Sequence, residues 1–230
     1  MNFLSQKLYD AYFGDEDLPT STTNLYKLTL NKLDNNIKIL DIGVGTGIYF
    51  ENKDCINIIK SKNIKIHGID INSNDINLCK DRIYNNKIQS NVSVELIDLF
   101  NIKNINDYDV IIFSESYPVI EKQLMYKMLD FIINKSNFKN KILFINNIED
   151  NPSFIQKLKN FSFIFNLNDQ LGRLVSTKDM DLIFKSLNII NITYELLASA
   201  TLNYAIFKDK IKIPGLNFEM KQYLITLNLK

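Results

Sequence analysis

The chain has 230 residues, a net charge of +1 and 46% hydrophobic residues, enough for one α/β domain with a substantial core and too few for two ordinary ones. The balanced charge shows no basic stripe, which argues against a dedicated nucleic-acid binder. No apolar run approaches the length of a bilayer span, and Lys7, Asp10 and Asp15 interrupt Met1–Leu18 where a signal peptide would be apolar. Cys55 and Cys79 stand far apart with no C-x-x-C spacing, so neither a zinc site nor a disulfide is expected. They read as small hydrophobes on helices of a reduced, cytoplasmic protein.

Taken in chain order, strand and helix patterns alternate. Leu4, Leu8, Ala11 and Tyr12 recur at helical spacing. Pro19–Thr22 is a turn whose hydroxyls suit the cap of a second helix, with Tyr26, Leu30 and Leu33 on one face. The first strand is Lys38–Asp41, and a helix is expected from about Ile48 to Lys62. A second strand, Lys65–Asp70, precedes a helix capped by Ser73 and carrying Ile76, Cys79 and Ile83. A third strand spans Val92–Ile97. The fourth, Asp109–Phe113, is nearly all apolar, as a strand covered on both faces should be. A helix with Leu124, Met128 and Phe131 leads to a fifth strand, Lys141–Ile145. Helices are then expected at Ser153–Asn160 and Thr177–Leu187. Two strand-like runs, Ile189–Leu197 and Leu202–Lys208, read as antiparallel neighbours.

Strands alternating with helices imply a doubly wound, mostly parallel sheet with right-handed crossovers and helices on both faces. The whole chain reads as one domain. Residues 1–36 form an N-terminal helical segment, 37–148 a ligand-binding core, and 149–210 the second half of the sheet. Residues 211–230 form an extension of no evident role.

The most informative stretch is Asp41-Ile42-Gly43-Val44-Gly45-Thr46-Gly47, between the first strand and the next helix. Alternating glycines allow positive φ and let a ligand lie against bare backbone. Dinucleotide enzymes favour G-x-G-x-x-G, whereas these glycines fall at 43, 45 and 47, two residues behind Asp41. Asp41, Asp70 and Asp98 end three successive strands and so should converge at the carboxyl edge of the sheet, where such folds bind ligands. For each, a helix cap or turn residue is the plainer alternative.

The D-x-G-x-G-x-G run followed by the acidic series resembles the class I S-adenosylmethionine-dependent methyltransferases. The resemblance covers Ile37 to about Ile148 in motif and continues to Lys208 in topology. It implies a seven-stranded sheet ending in an antiparallel hairpin, with S-adenosylmethionine as cofactor. The loop residues Gly43, Val44, Gly45, Thr46 and Gly47 would lie against its methionyl part. Asp70 with Ile71 would hold ribose, and Asp98 with Leu99 would meet adenine. Asp41 would organise the loop or reach the cofactor's ammonium through water, and Ser114 would be a further cofactor-binding residue. No metal is expected: His67 is the only histidine, and its place inside the second strand reads as a core residue.

Acceptor specificity should reside in Ser114-Glu115-Ser116-Tyr117-Pro118, which lacks the N/D-P-P-Y/F signature of amino-group methylation. Glu115 is a candidate base or amine-orienting group, and equally a helix cap; Tyr117 and Tyr12 are candidate pocket walls. Ser114-Glu115 with Glu121, and Tyr12-Phe13-Gly14 upstream, are similar to segments of the protein arginine methyltransferases. The interval between the glutamates is shorter, though, and the Thr-His-Trp loop is absent from a chain without Trp. Phe13-Gly14 before Pro19-Thr20 is similar to the stretch ahead of the first motif in ribosomal-protein methyltransferases. The expected substrate is a small molecule or a peptide side chain, bound by a monomer or homodimer. A protein arginine methyltransferase-like enzyme, a non-catalytic cofactor-binding adaptor and a nicotinamide-dependent oxidoreductase are the alternatives.

Overall fold

The computed structural model describes residues 22–114, 122–148, 177–205 and 212–229. Helix α1 (Thr22–Lys32) leads to strand β1 (Lys38–Ile42), α2 (Lys53–Ser61), β2 (Lys65–Asp70), α3 (Ser73–Asn85) and β3 (Val92–Leu96). After two short 3₁₀ turns come β4 (Val110–Ser114), α4 (Lys122–Asp130), β5 (Lys141–Ile148), α5 (Thr177–Ser186), β6 (Ile192–Ala205) and β7 (Lys212–Asn228). The seven strands form one sheet in the order β3-β2-β1-β4-β5-β7-β6, parallel except for β7, which runs antiparallel to both neighbours. The chain winds outward from β1 in one direction and restarts at β4 on its other side. The switch point therefore lies at the carboxyl end of β1, where an open α/β sheet leaves a crevice.

Alternation along the strands feeds two cores. Ile39, Ile66, Val110, Ile112, Leu143 and Leu224 face α1, α2 and α3, whereas Leu40, Ile69, Ile111, Phe113, Phe144 and Ile225 face α4 and α5. Val110–Phe113 is buried throughout, as its continuous apolar run predicts for a central parallel strand.

Several expectations are corrected. The helix expected from Ile48 is broken: a 3₁₀ turn covers Ile48–Glu51, and α2 begins only at Lys53. Asn52 causes the break. It is extended (φ −77°, ψ 121°), and its side chain accepts from the Asp54 and Cys55 N–H groups as a helix N-cap. The cap of α3 is Asn72, which accepts from Asn74 N–H, and Ser73 is the first helical residue. On α4 the buried residues are Met125, Met128 and Leu129, while Leu124 is exposed. A π-helical turn at Phe131–Lys135 continues that helix and buries Ile132.

The terminal hairpin is also redrawn. The two strand-like runs before residue 208 lie largely within the single strand β6, and its partner is Lys212–Asn228, the segment without an evident role in the sequence. A broken pattern of Ala, Ser and Thr in the middle of β6 hides one long strand, whose pairing shifts by a bulge between Leu196 and Ala198. β7 then becomes interior, paired on both edges. The expected helices near Leu4–Tyr12 and Ser153–Asn160 lie outside the described residues.

Candidate active site

The glycine loop is held by backbone bonds to the neighbouring strand end. Gly43 and Val44 N–H groups both donate to the Ile69 carbonyl (2.8 and 3.1 Å), and Gly47 N–H donates to the Val44 carbonyl (3.1 Å). Gly43, Gly45 and Gly47 all have positive φ (73°, 54° and 62°), a region costly for residues with a Cβ. Their surroundings differ. A Cβ on Gly47 would lie 2.4 Å from Cys79 Sγ and 2.8 Å from Phe50. One on Gly45 would meet nothing within 4 Å, so Gly45 faces open space. Val44 points the other way, into the core, close enough to Gly68 that a Cβ there would come within 2.8 Å of its methyl.

Asp70 stands beside that open space. Its Oδ2 accepts from Gly45 N–H and its Oδ1 from Asn72 N–H, each at 2.9 Å. A carboxylate has about four acceptor positions, so two bonds leave capacity for further donors. Ile71, next in the chain, is 77% exposed. Asp98 lies just beyond β3, with its Oδ1 accepting from Phe100 N–H at 3.0 Å to cap a 3₁₀ turn. The capping alternative is thus realised for Asp98, and it leaves the second oxygen without a bond among the described residues. Leu99 is buried in the core facing α4, and the exposed apolar residue is Phe100, whose ring stands edge-on to Phe131 at 5.4 Å.

Asp41 behaves differently. It is fully buried, and its Oδ2 accepts from the hydroxyls of Tyr26 (3.0 Å) and Tyr49 (2.6 Å). The two rings stack with centroids 3.7 Å apart. Burial, then the adjacent carboxylate, raises the Tyr26 hydroxyl well above its ordinary pKa, so it stays a donor. Asp41 therefore ties α1 and the 3₁₀ turn to the end of β1 from beneath the loop.

Of the residues expected at the site, the fold brings Asp41, Gly43, Val44, Gly45, Thr46, Gly47, Asp70, Ile71, Asp98 and Leu99 to one edge of the sheet. Ser114 ends β4, next but one to β2 across β1, and pairs in register with Ile145. Glu115, Tyr117, Glu121 and Tyr12 lie outside the described residues. His67 is a correction: it is half-buried and not in the core, with Nδ1 3.1 Å from Ser93 Oγ and Nε2 3.5 Å from Glu95. Burial lowers its pKa, against the opposing pull of Glu95. It lines a surface cleft of about 190 Å³ with Lys38, Lys65 and Tyr108, toward the amino ends of β1 and β2 and away from the glycine loop. Among the described residues no group of three or more His, Cys, Asp or Glu side chains could hold a metal.

Sequence reading missed Tyr26, Tyr49, Arg82 and Phe100. Tyr26 was legible only as an apolar helix position, and in a chain with 11 tyrosines nothing singles out Tyr49. Arg82 did leave a signal: only two of the 27 basic residues are arginine.

By sequence, a methyltransferase-domain family matches residues 33–179, more than half of the chain. No curated protein matches it. Among solved structures it is similar to a SAM-dependent methyltransferase from Archaeoglobus fulgidus (16% identity, TM-score 0.56, covering 96% of this chain and 98% of that one). It is also similar to magnesium protoporphyrin IX methyltransferase from Synechocystis with bound SAM (11% identity, TM-score 0.56, 99% and 85%). A third is phosphoethanolamine N-methyltransferase 2 of Haemonchus contortus (13% identity, TM-score 0.60), of which the chain covers 52% while 89% of the chain is matched. Two further similar structures are spanned only to 56% and 61% of their length. At such identities these structures speak for the fold, and the matched family, with its glycine loop at the switch point of a β3-β2-β1-β4-β5-β7-β6 sheet, speaks for the lineage: the chain belongs to the methyltransferase-domain family and has the class I, Rossmann-like fold of the S-adenosylmethionine-dependent enzymes.

Proposed function

We propose that this protein transfers a methyl group from S-adenosylmethionine to a small molecule or to a peptide side chain in the cytoplasm. The observation that carries the proposal is the open space at Gly45, bordered by the Asp70 carboxylate. A loop needing only to turn would pack its middle residue; this one leaves bare backbone facing outward next to an acceptor-only group. The bound cofactor would supply an electrophilic methyl group, so the protein's work is chiefly to position and to exclude water.

The residues divide that work. Gly43, Gly45 and Gly47, with Val44 wedged beneath and Thr46 between, offer the backbone. Asp70 keeps acceptor positions for a vicinal diol such as ribose, since its two existing bonds come from the protein's own N–H groups. Ile71 and Phe100 present exposed apolar surface beside the two acidic strand ends, suited to a flat base, with the Asp98 oxygen as an acceptor for an amino group. Asp41 holds the loop from below, Leu99 is buried in the core next in the chain to Asp98, and Ser114 lies at the end of β4. Glu115 and Tyr117, which follow it, remain the proposed acceptor-side residues.

Calorimetric titration with S-adenosylhomocysteine, alongside NAD, tests the reading. Micromolar binding of the first and none of the second is the expected result; binding of NAD alone would overturn it. Asp70→Ala should abolish detectable binding, because the diol loses its acceptor and Gly45 its anchor.

A further inference from the structure

Arg82 sits on α3, outside the acidic series and the glycine loop, yet its guanidinium reaches both the loop and the turn after it. Nη1 donates to the Thr46 carbonyl at 2.6 Å, and Nε donates to Glu51 Oε1 at 2.9 Å. The Thr46–Gly47 peptide is thereby pinned at both ends, since its N–H donates to the Val44 carbonyl and its C=O accepts from Arg82. This matters because the peptide runs into Gly47, whose positive φ and missing Cβ leave a flipped peptide plane accessible on that side. One turn earlier on the same helix, Cys79 packs against Gly47. The inner face of α3 is thus a template for the back of the loop, with the guanidinium as its polar contact.

The composition supports a specific need for this side chain. In a chain that uses lysine almost everywhere, arginine stands at 82. A planar guanidinium can serve a carbonyl and a carboxylate in fixed directions at once, which a single ammonium does poorly. The contact is also sheltered: the Arg82 side chain is only 21% exposed, against 50% for Glu51.

We propose that Arg82 is a positioning residue that holds the Thr46–Gly47 peptide in one orientation and so keeps Gly45 presented to the cofactor. The role in binding rests on the cofactor reading above; the role in the loop does not. Arg82→Met keeps the aliphatic stem and removes the donors, and Arg82→Lys restores one of them. In ligand-free protein, Arg82→Met should shift or broaden the amide resonances of Gly43, Gly45 and Gly47 and leave that of Gly215, on β7, in place. Affinity for S-adenosylhomocysteine should fall about tenfold, as expected for loss of a charge-assisted hydrogen bond, with partial recovery in Arg82→Lys. Unmoved loop-glycine resonances would overturn the proposal, whatever the affinity. So would an Arg82→Lys variant as impaired as Arg82→Met, since it would show that the restored donor does nothing. Should the wild type bind no S-adenosylhomocysteine while the loop resonances of Arg82→Met still move, the clamp stands and the cofactor reading falls.

Discussion

Gly45 and Gly47 share a left-handed backbone and differ in what surrounds them, which separates two effects that a glycine motif usually confounds. Adding a methyl at Gly45 costs the backbone strain of an L-residue, about 1–2 kcal/mol, and places the methyl in open space. Adding it at Gly47 costs the same strain and drives the Cβ into Cys79 and Phe50. Gly47→Ala is therefore expected to be the less stable variant by at least about 1–3 kcal/mol, the usual cost of overpacking. Gly45→Ala should fold with modest loss yet bind S-adenosylhomocysteine far more weakly. Urea denaturation and calorimetry on the pair measure both quantities; equal stabilities would show that the loop shifts freely away from α3. The alternating glycines were legible in the sequence because spacing alone distinguishes them. Which glycine faces outward was not, because Cys79 lies 32 positions away and reaches Gly47 only through the packing of α3.

At the scale of elements, the scarcity of glycine is met by asparagine. Helices α2, α3 and α5 end alike: the N–H of Ile64, Ile88 and Ile189 donates five residues back, to Ile59, Ile83 and Phe184 respectively. The residue before each isoleucine is left-handed, namely Asn63, Lys87 and Asn188. This is the Schellman arrangement, and its isoleucine is buried each time, so the helix stop also delivers a core residue toward the next strand. Asparagine tolerates positive φ through local hydrogen bonding, whereas lysine gains nothing from it. Lys87→Gly should therefore stabilise the protein by about 0.5–1 kcal/mol, net of the added freedom of the unfolded chain, and Asn63→Gly by less. A shift in the urea midpoint at constant slope checks the order. The helix ends were partly legible, since each break falls where apolar periodicity stops. The break at Asn52 was not, because its capping bonds compete locally with a helix that propensity alone would continue.

At the scale of the whole molecule, the layered packing seals protonated groups inside the fold. Burial pushes the Cys55 thiol up to about 11 and the Cys79 thiol up to about 12, and raises the Tyr26 hydroxyl well above 10. In the unfolded chain these groups ionise from about pH 9 upward, while in the native state they stay protonated. The native state then binds more protons than the unfolded one, so stability falls as pH rises. Stability is expected to be flat from about pH 7 to 8.5 and to decline from about pH 9 toward 11–12, where the two folded thiols themselves titrate. Urea midpoints across that range test this, and Cys55→Ala should flatten the decline. A midpoint unchanged at pH 10.5 would show that these side chains are open to solvent.

What the sequence by itself determined is the part written in local pattern. The alternating strands and helices, the all-apolar central strand, the glycine spacing and the acidic strand ends each depend on neighbours within a few residues. The tertiary structure alone decided the rest. It placed 212–228 as the sheet's interior antiparallel strand, because pairing partners are chosen by exposed edges across long distances and not by the segment's own composition. It turned Asp41 into a buried anchor for two tyrosines, left His67 half-buried on a face of β2 instead of in the core, and brought Arg82 to the back of the glycine loop. A charged or hydroxyl side chain carries no mark of its partner until folding removes the water that would otherwise satisfy it.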